Sequence, residues 1–204
     1  MTYMLRTFAL VAATAVAAAP AHAQDRFLTA AQYSVAIPIG DTHNYIANGS
    51  WSGGAWEWRW NNRPHTSIGI LAGFNEFYSR DAGTFEFPAG AATGDFYRNL
   101  LMVPLLATGH WYFSGERDNP RWFVGGGGGL QFTQQIFQLG LQEVRRRDWG
   151  VVLVPEIGYA FLVMSDFGGI ASVRYHLPSN AGNLFGNDDG RFQYVSISLG
   201  FGLR

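Results

Sequence analysis

The sequence lacks cysteine and lysine, and no apolar run beyond its N-terminal segment approaches the length of a membrane helix. Without cysteine, neither a disulfide framework nor a thiolate site is available. The longest later apolar run, Leu100 to Ala107, contains Pro104 and falls well short of the roughly 18 residues that a transmembrane helix needs. A helical membrane protein is therefore excluded.

The N-terminal apolar run is typical of a cleaved secretory signal. It follows Arg6, extends from Phe8 to Ala19, and ends in the small-x-small pattern Ala21-His22-Ala23. The alternative, an uncleaved anchor, needs about 20 apolar residues without that cleavage pattern. We predict a signal peptide over residues 1–23 and a mature barrel domain over residues 24–204.

Charge is scarce in the chain. Charged residues make up 14% of it, against about 25% in an ordinary soluble domain, while aromatic residues reach 16%. All 14 basic residues are arginine, and without Arg6 the mature chain keeps 13 bases against 15 acids. This balance argues against a nucleic-acid partner.

Alternation with period two predicts the fold. From Tyr194 onward the sequence alternates between an apolar set and a small or polar set, and the segments 151–163 and 170–177 repeat the pattern. Apart from a helix, only a closed barrel can place backbone in lipid, and its strands alternate between apolar outward and small or polar inward residues. We predict an all-β fold, an eight-stranded antiparallel transmembrane up-and-down β-barrel. The predicted strands are Phe27 to Ile39, Gly49 to Trp60, His65 to Ser79, Asn99 to Phe113, Arg121 to Thr133, Trp149 to Val163, Phe167 to Leu177 and Phe192 to Leu203.

Loop lengths and aromatic positions orient this barrel in an outer membrane. The predicted long loops, Arg80 to Arg98, Gln134 to Asp148 and Pro178 to Arg191, alternate with short turns, and in outer-membrane barrels the long set faces outside the cell. Aromatic residues fall at both strand ends, as interfacial girdles require. The pairs Trp122 with Phe123, Phe77 with Tyr78 and Phe96 with Tyr97 are among the residues assigned to these girdles.

Charged residues are expected inside the barrel. Trp56, Trp58 and Trp60 share one strand face, which places Glu57 and Arg59 on the other. Glu156 and Arg174 also face inward, and a hairpin centred on Ser165 sets them directly opposite each other. Residues 57, 59, 156 and 174 are therefore predicted to form a lumen charge network.

The five glycines within RWFVGGGGGLQF (Arg121 to Phe132) raise the possibility of a phosphate loop. Such a loop would lead into a helix, whereas Leu130 to Thr133 continue as a strand. A flexible linker would have polar flanks, and these flanks are apolar. We interpret the run as a strand thinned so that bulky side chains from facing strands can cross the narrow lumen.

Several stretches resemble the eight-stranded outer-membrane barrels akin to the barrel of outer-membrane protein A. YSVAIPIGD (Tyr33 to Asp41), LMVPLLATGHWYF (Leu101 to Phe113) and RWFVGGGGGLQF resemble strands one, four and five. The final SISLGFGLR resembles the C-terminal signal read by the barrel-assembly machinery, with Ser198, Gly200 and Leu203 at the polar, glycine and hydrophobic positions. Arg204 departs from the usual aromatic last residue.

A second, weaker resemblance suggests an enzyme. RYHLPSNAG (Arg174 to Gly182) is similar to the His-x-Ser-Asn-Ala segment of outer-membrane lipid A deacylases. It would imply Ser179 as nucleophile, His176 as base, and Asp188 or Asp189 as the orienting acid. Pro178 changes the spacing to His-x-x-Ser, and our register turns His176 inward, away from lipid. We therefore favour a strand-to-loop exit at this point.

Other candidate sites are weak. His43, His65, His110 and His176 have no ligand spacing, so no metal or cofactor is expected. Arg145, Arg146 and Arg147 fall in a predicted loop and could pair with lipopolysaccharide phosphates, but solvated loop charge is the favoured interpretation.

These features together predict a monomeric outer-membrane barrel with a packed polar lumen and a structural or surface-contact role. Its expected partners are outer-membrane lipid, lipopolysaccharide and the barrel-assembly machinery. The alternatives are a lipid A esterase and a narrow channel or small-ligand carrier.

Overall fold

The computed structural model describes residues 27–87, 90–114, 120–140, 142–164, 167–179 and 191–203. Within these ranges the chain forms eight strands and one short helix. No helix among the described residues is long and apolar enough to cross a membrane. In chain order the elements are β1 (Phe27–Ile39), α1 (Asp41–Tyr45), β2 (Ser50–Arg63), β3 (Thr66–Phe87), β4 (Gly90–Tyr112), β5 (Arg121–Leu139), β6 (Gln142–Met164), β7 (Phe167–Pro178) and β8 (Gln193–Leu203).

The strands form one closed antiparallel barrel. Each strand pairs with its neighbours in sequence, and β1 pairs with β8 from Thr29 opposite Leu203 to Ile39 opposite Gln193. Where each strand pairs with a neighbour on both sides, the closed barrel has no free sheet edge. The backbone groups of every strand in that region therefore have hydrogen-bonding partners. The predicted eight-stranded up-and-down barrel is confirmed.

Period-two alternation assigns the two faces of the wall as predicted. In β8, Tyr194, Ser196 and Ser198 are buried inside while Ile197 and Leu199 lie outside, each about half exposed. Strands β6 and β7 follow the same rule. Large apolar side chains on the outside of a closed barrel have no protein to cover them, so this surface is the one that lipid covers.

The predicted register of the β6–β7 hairpin is the observed one. Ile157 pairs with Val173 and Glu156 with Arg174, which places the two charged side chains opposite each other inside the barrel. Ser165, at the centre of the predicted turn, lies outside the described residues. The predicted register holds from Leu153 opposite Leu177 to Leu162 opposite Gly168, and it shifts by one residue next to the turn, where Met164 lies opposite Phe167.

Two of the three predicted long loops are largely strand. β3 and β4 remain paired from Thr66 opposite Trp111 to Phe87 opposite Gly90, far beyond the predicted end at Ser79. β5 and β6 remain paired up to Leu139 opposite Gln142, where Gly140 has a positive φ of 58°. Residues 180–190 of the third predicted loop lie outside the described residues.

The reason for this error is the solvent around the hairpins. Toward the tips of these hairpins, at residues 81–84 and 142–145, both faces of a strand are exposed, so the apolar and polar alternation that marks a strand in lipid disappears. Polar residues such as Thr84 and Gln138 then resemble loop composition while their backbone remains in the ladder.

Candidate functional site

The centre of the lumen holds a buried ion-pair network. Glu57 and Arg59 come from β2, Glu156 from β6 and Arg174 from β7, and all four are at most 6% exposed. They point inward because their strand neighbours, such as Trp58, occupy the lipid face. The four residues proposed from the sequence as a lumen network thus lie together.

Each guanidinium in the network contacts both carboxylates. Arg59 binds Glu57 with two nitrogens, Nε to Oε1 at 2.7 Å and Nη2 to Oε2 at 2.9 Å, and its Nη2 also lies 3.5 Å from Glu156 Oε1. Arg174 Nη2 lies 2.9 Å from Glu156 Oε1 and 3.2 Å from Glu57 Oε2. Two positive and two negative charges therefore compensate each other within the barrel, which offsets the cost of burying them.

Neutral side chains from neighbouring strands complete the network. Gln32 donates to Glu57 Oε2 at 2.8 Å, and Arg59 Nη1 lies 3.3 Å from the Tyr112 hydroxyl. His110 Nε2 lies 3.0 Å from Glu156 Oε2, while its Nδ1 is 3.3 Å from Ser67 Oγ. Sequence reasoning missed His110, although its alternation with Thr108 and Leu106 in β4 was a signal that it faces inward.

Glu57, His110 and Glu156 are grouped closely enough to hold a metal ion, with one ligand atom from each within 4.8 Å of the others. Their oxygens, however, already accept hydrogen bonds from Arg59 and Arg174. A divalent cation there would adjoin two guanidinium groups, which repel it at short range. The arrangement suits an ion-pair network better than a metal centre.

An apolar plug closes the outer end of the lumen. It is formed by α1, the residue after it, the residue before β8 and inward side chains of four strands, namely Ala36, Tyr45, Ile46, Phe77, Leu100, Met102, Phe192 and Tyr194. Two contacts hold α1 in place: Arg98 Nη1 donates to the Tyr45 carbonyl at 3.0 Å, and Asp41 Oδ2 accepts from the Arg191 amide at 3.0 Å. Burial raises the pKa of Tyr45 to about 12, with Arg98 opposing the shift.

The inner end of the lumen is closed by a second aromatic cluster. Tyr112 and Phe123 pack there at a centroid distance of 5.5 Å, together with Ala30 and Ile170. The Arg121 guanidinium lies 3.8 Å from the Tyr112 ring centroid and donates to the Pro64 carbonyl at 3.1 Å. The small cavity beside these groups measures about 40 Å³, room for a few water molecules.

The glycine run of β5 lies beside this network and provides space for it. A Cβ on the inward Gly125 would lie 2.6 Å from His110 Cδ2, and one on Gly127 would lie 3.2 Å from Leu106 Cβ. The atoms nearest to these two glycines belong to the adjacent strand β4. Arg59 of the facing strand β2 also crosses the lumen at this level, because it reaches Glu156, the residue paired with Gly125. The run therefore makes room for neighbouring side chains.

Aromatic girdles surround the barrel at both ends, with four corrections to the predicted set, one of which is Tyr112 of the predicted girdle stretch Trp111 to Phe113, buried in the lumen. Trp122 packs on Tyr159 at one end and Phe132 on Trp149 at the other, with centroids 5.0 and 5.2 Å apart. Phe77, Phe96 and Phe123 instead face the lumen, at 0%, 7% and 0% exposure. Successive residues of a strand point to opposite faces, so only one member of each predicted pair can reach lipid.

The described residues do not assemble the deacylase-like triad. His176 is buried in the lumen, stacked on Tyr194 at 4.0 Å, with Nε2 3.1 Å from Ser196 Oγ. Ser179 is exposed, and its Oγ accepts from the Val151 amide at 3.2 Å. Asp188 and Asp189 lie outside the described residues. In the described part of the chain no hydrogen bond joins His176 to Ser179, as general-base activation would require.

Comparison with known proteins establishes the fold. No protein-family model and no curated protein matches the sequence. Neisserial surface protein A aligns with a TM-score of 0.51 at 12% identity, over 87% of this chain and 96% of that one. The attachment invasion locus protein Ail of Yersinia pestis gives 0.49 at 13% identity over 87% and 96%, and the N-terminal barrel domain of Pseudomonas aeruginosa OprF gives 0.44 at 10% over 86% and 96%. The chain has the fold of the eight-stranded outer-membrane β-barrels.

Proposed function

We propose that the protein is an integral outer-membrane barrel with a structural or surface-contact role. One observation carries this proposal: the lumen is filled along its length while the outer surface is apolar and girdled. Apolar clusters around Phe77 and Phe123 lie on either side of the ion-pair network of Glu57, Arg59, Glu156 and Arg174. Because the barrel's own side chains fill its interior, its exposed surfaces are the part that can contact other molecules.

A channel or small-ligand carrier is a poorer fit to this interior. An eight-stranded barrel is just wide enough for its own side chains. Here the Arg59 Cζ atom lies 4.5 Å from the centroid of the Phe123 ring, and this stacked pair lies across the path that a solute would take. Opening that path would separate buried ion pairs and displace the plug at Tyr45. Both changes are costly in a low-dielectric interior.

The proposed partners follow from the outer surface and the chain end. Outer-membrane lipid and lipopolysaccharide would cover the apolar exterior. The barrel-assembly machinery would recognise the end of β8, where Ser198 and Gly200 face inward and Leu203 faces outward. Because the closed barrel offers no free edge within its shared ladders, we propose a monomer.

Fractionation of cells tests this proposal. The chain should be found in the outer membrane with Gln24 as its first residue, after removal of residues 1–23. Its gel mobility should change on boiling, as folded barrels resist detergent until heated. Purified protein in planar bilayers should give no steady conductance. Recovery in the soluble periplasmic fraction would refute the barrel's location, and stable ion conductance would refute the packed lumen.

A further inference from the structure

The outward side of β6 shows where the membrane ends on this part of the barrel. Its side chains form an uninterrupted apolar column from Val163 to Trp149. Tyr159 and Trp149 are ten residues apart, which in a strand tilted by about 40° corresponds to roughly 26 Å of membrane thickness. This equals the apolar band of an outer-membrane barrel. Trp149, packed on Phe132, therefore marks the outer boundary.

Two arginines continue the outward column beyond that boundary. Arg147 and Arg145 follow Trp149 at two-residue steps on the same face, whereas Arg146 points to the opposite, lumen-side face of the hairpin. Each step raises the side chain by about 5 Å along the membrane normal for a strand with this tilt. The two outward cations thus lie about 5 and 10 Å above the aromatic girdle, at the depth of lipid headgroups and beyond.

The three neighbouring arginines differ in their partners. Arg145 lies 2.7 Å from Glu143 on its own face, and Arg146 lies 3.5 Å from Asp148 on the lumen side. Arg147 Nε donates to the neutral Gln134 Oε1 at 3.1 Å. Among the residues that the structure describes, no carboxylate lies within ion-pair distance of Arg147. Its charge is exposed directly above the girdle and its position is fixed by Gln134.

We propose that Arg147, positioned by Gln134, binds a phosphate of lipopolysaccharide, and that Arg145 binds a second anionic group of the same lipid farther from the membrane. A guanidinium matches a phosphate with two parallel hydrogen bonds, which favours arginine at such a site. A phospholipid carries its phosphate at one depth. Lipopolysaccharide carries phosphates on lipid A and on the core sugars above it, so it fits two cations at successive depths. This inference rests on the proposed outer-membrane location.

Lipid binding to the full mature barrel in mild detergent provides the test, with native mass spectrometry counting bound lipid during titration. Three probes separate the sources of phosphate: lipopolysaccharide with a phosphorylated inner core, diphosphoryl lipid A, and phosphatidylglycerol. Three variants, Arg147→Gln, Arg145→Gln and Arg146→Gln, remove the same charge from consecutive positions. Arg146→Gln is the matched control because its side chain lies on the opposite face.

We expect Arg147→Gln to weaken binding of lipopolysaccharide and of lipid A about fivefold, the effect of one arginine near an anionic lipid surface. Arg145→Gln should weaken binding of lipopolysaccharide and leave lipid A within about twofold, because its ligand lies above the lipid A phosphates. Arg146→Gln should leave all three probes within about twofold of the wild type.

Equal losses in the Arg146 and Arg147 variants would overturn the proposal, since binding would then follow net charge alone. Phosphatidylglycerol that binds as tightly as lipopolysaccharide, with the same dependence on Arg147, would overturn it too. Heat-dependent gel mobility of each variant shows whether it still folds as a barrel, so failure of the binding site can be distinguished from failure of the proposed function. If the variants are folded outer-membrane barrels but Arg147→Gln does not change lipid binding, the proposed site alone is refuted.

Discussion

Replacing Arg174 by methionine would test the lumen network most directly, because this side chain joins carboxylates from two strands. Its Nη2 contacts Glu156 at 2.9 Å and Glu57 at 3.2 Å, and its Nη1 donates to Ser198 at 3.3 Å. Methionine retains much of the length and removes the charge. Among the described arginines, Glu156 would then keep Arg59 alone, at 3.5 Å, as its partner.

The expected cost follows from charge balance inside the barrel. Removing one member of a buried ion pair leaves an uncompensated charge and typically costs about 3 to 5 kcal/mol. We expect that loss for Arg174→Met and a similar one for Glu156→Leu. The double variant retains the two-pronged contact of Arg59 with Glu57, which is neutral as a pair. It should therefore be less destabilised than either single variant, a coupling of several kcal/mol.

Reversible urea unfolding in phospholipid vesicles, followed by tryptophan fluorescence and gel mobility, measures these free energies. Arg80→Met is the control, because Arg80 forms an ion pair with Asp95 at 2.9 Å while both side chains remain more than half exposed. Breaking an exposed pair costs less than about 1 kcal/mol. Similar losses for Arg80→Met and Arg174→Met would show that burial does not set the cost. Additive effects of Arg174→Met and Glu156→Leu, within about 0.5 kcal/mol, would refute the coupled network.

Two further predictions concern the glycine run and the serine of the deacylase-like segment. Gly125→Ala should cost about 1 to 3 kcal/mol in the same unfolding assay, because its methyl group would lie 2.5 Å from the Gly109 carbonyl and 2.6 Å from His110. Gly128→Ala, whose methyl group would point outward 3.5 Å from Leu153, should be neutral or slightly stabilising, and equal losses at both positions would contradict the space-making role. Ser179→Ala should leave the lipid A acylation pattern of intact cells unchanged by mass spectrometry. Loss of a deacylation that the wild type performs would instead identify an esterase.

The faces of the strands could be predicted from the sequence because lipid imposes a local rule. On β8 and β7 every second residue meets lipid, so apolar side chains such as Ile197 and Val173 alternate with small or polar ones. The pairing of Glu156 with Arg174 could be predicted as well. A turn of a few residues restricts the register of the strands it joins to within about one residue, and the inward-facing charges select the register that pairs them.

The ends of the strands could not be predicted, because the local rule stops at the membrane surface. Beyond Trp149 on β6, alternate residues meet water on both faces, and the sequence no longer distinguishes strand from loop. The same change of solvent concealed the importance of the three arginines. In a loop, Arg145 to Arg147 would form a single patch of charge, whereas a strand directs the middle one to the opposite face.

The contents of the lumen depend on closure, which no single segment encodes. His110 reaches Glu156 because β4 and β6 both flank β5, and because β5 has no side chain at Gly125 to separate them. Gly125 pairs with His110 on one side and with Glu156 on the other, so the absence of one side chain permits the contact between two others. The glycine run and the charged residues, which look like separate features of the sequence, are thus parts of the same packing solution. The position of each glycine in the run should therefore decide its effect on stability: a Cβ at the inward Gly125 would lie 2.5 Å from the Gly109 carbonyl of β4, whereas one at the outward Gly128 would meet Leu153 at an ordinary 3.5 Å.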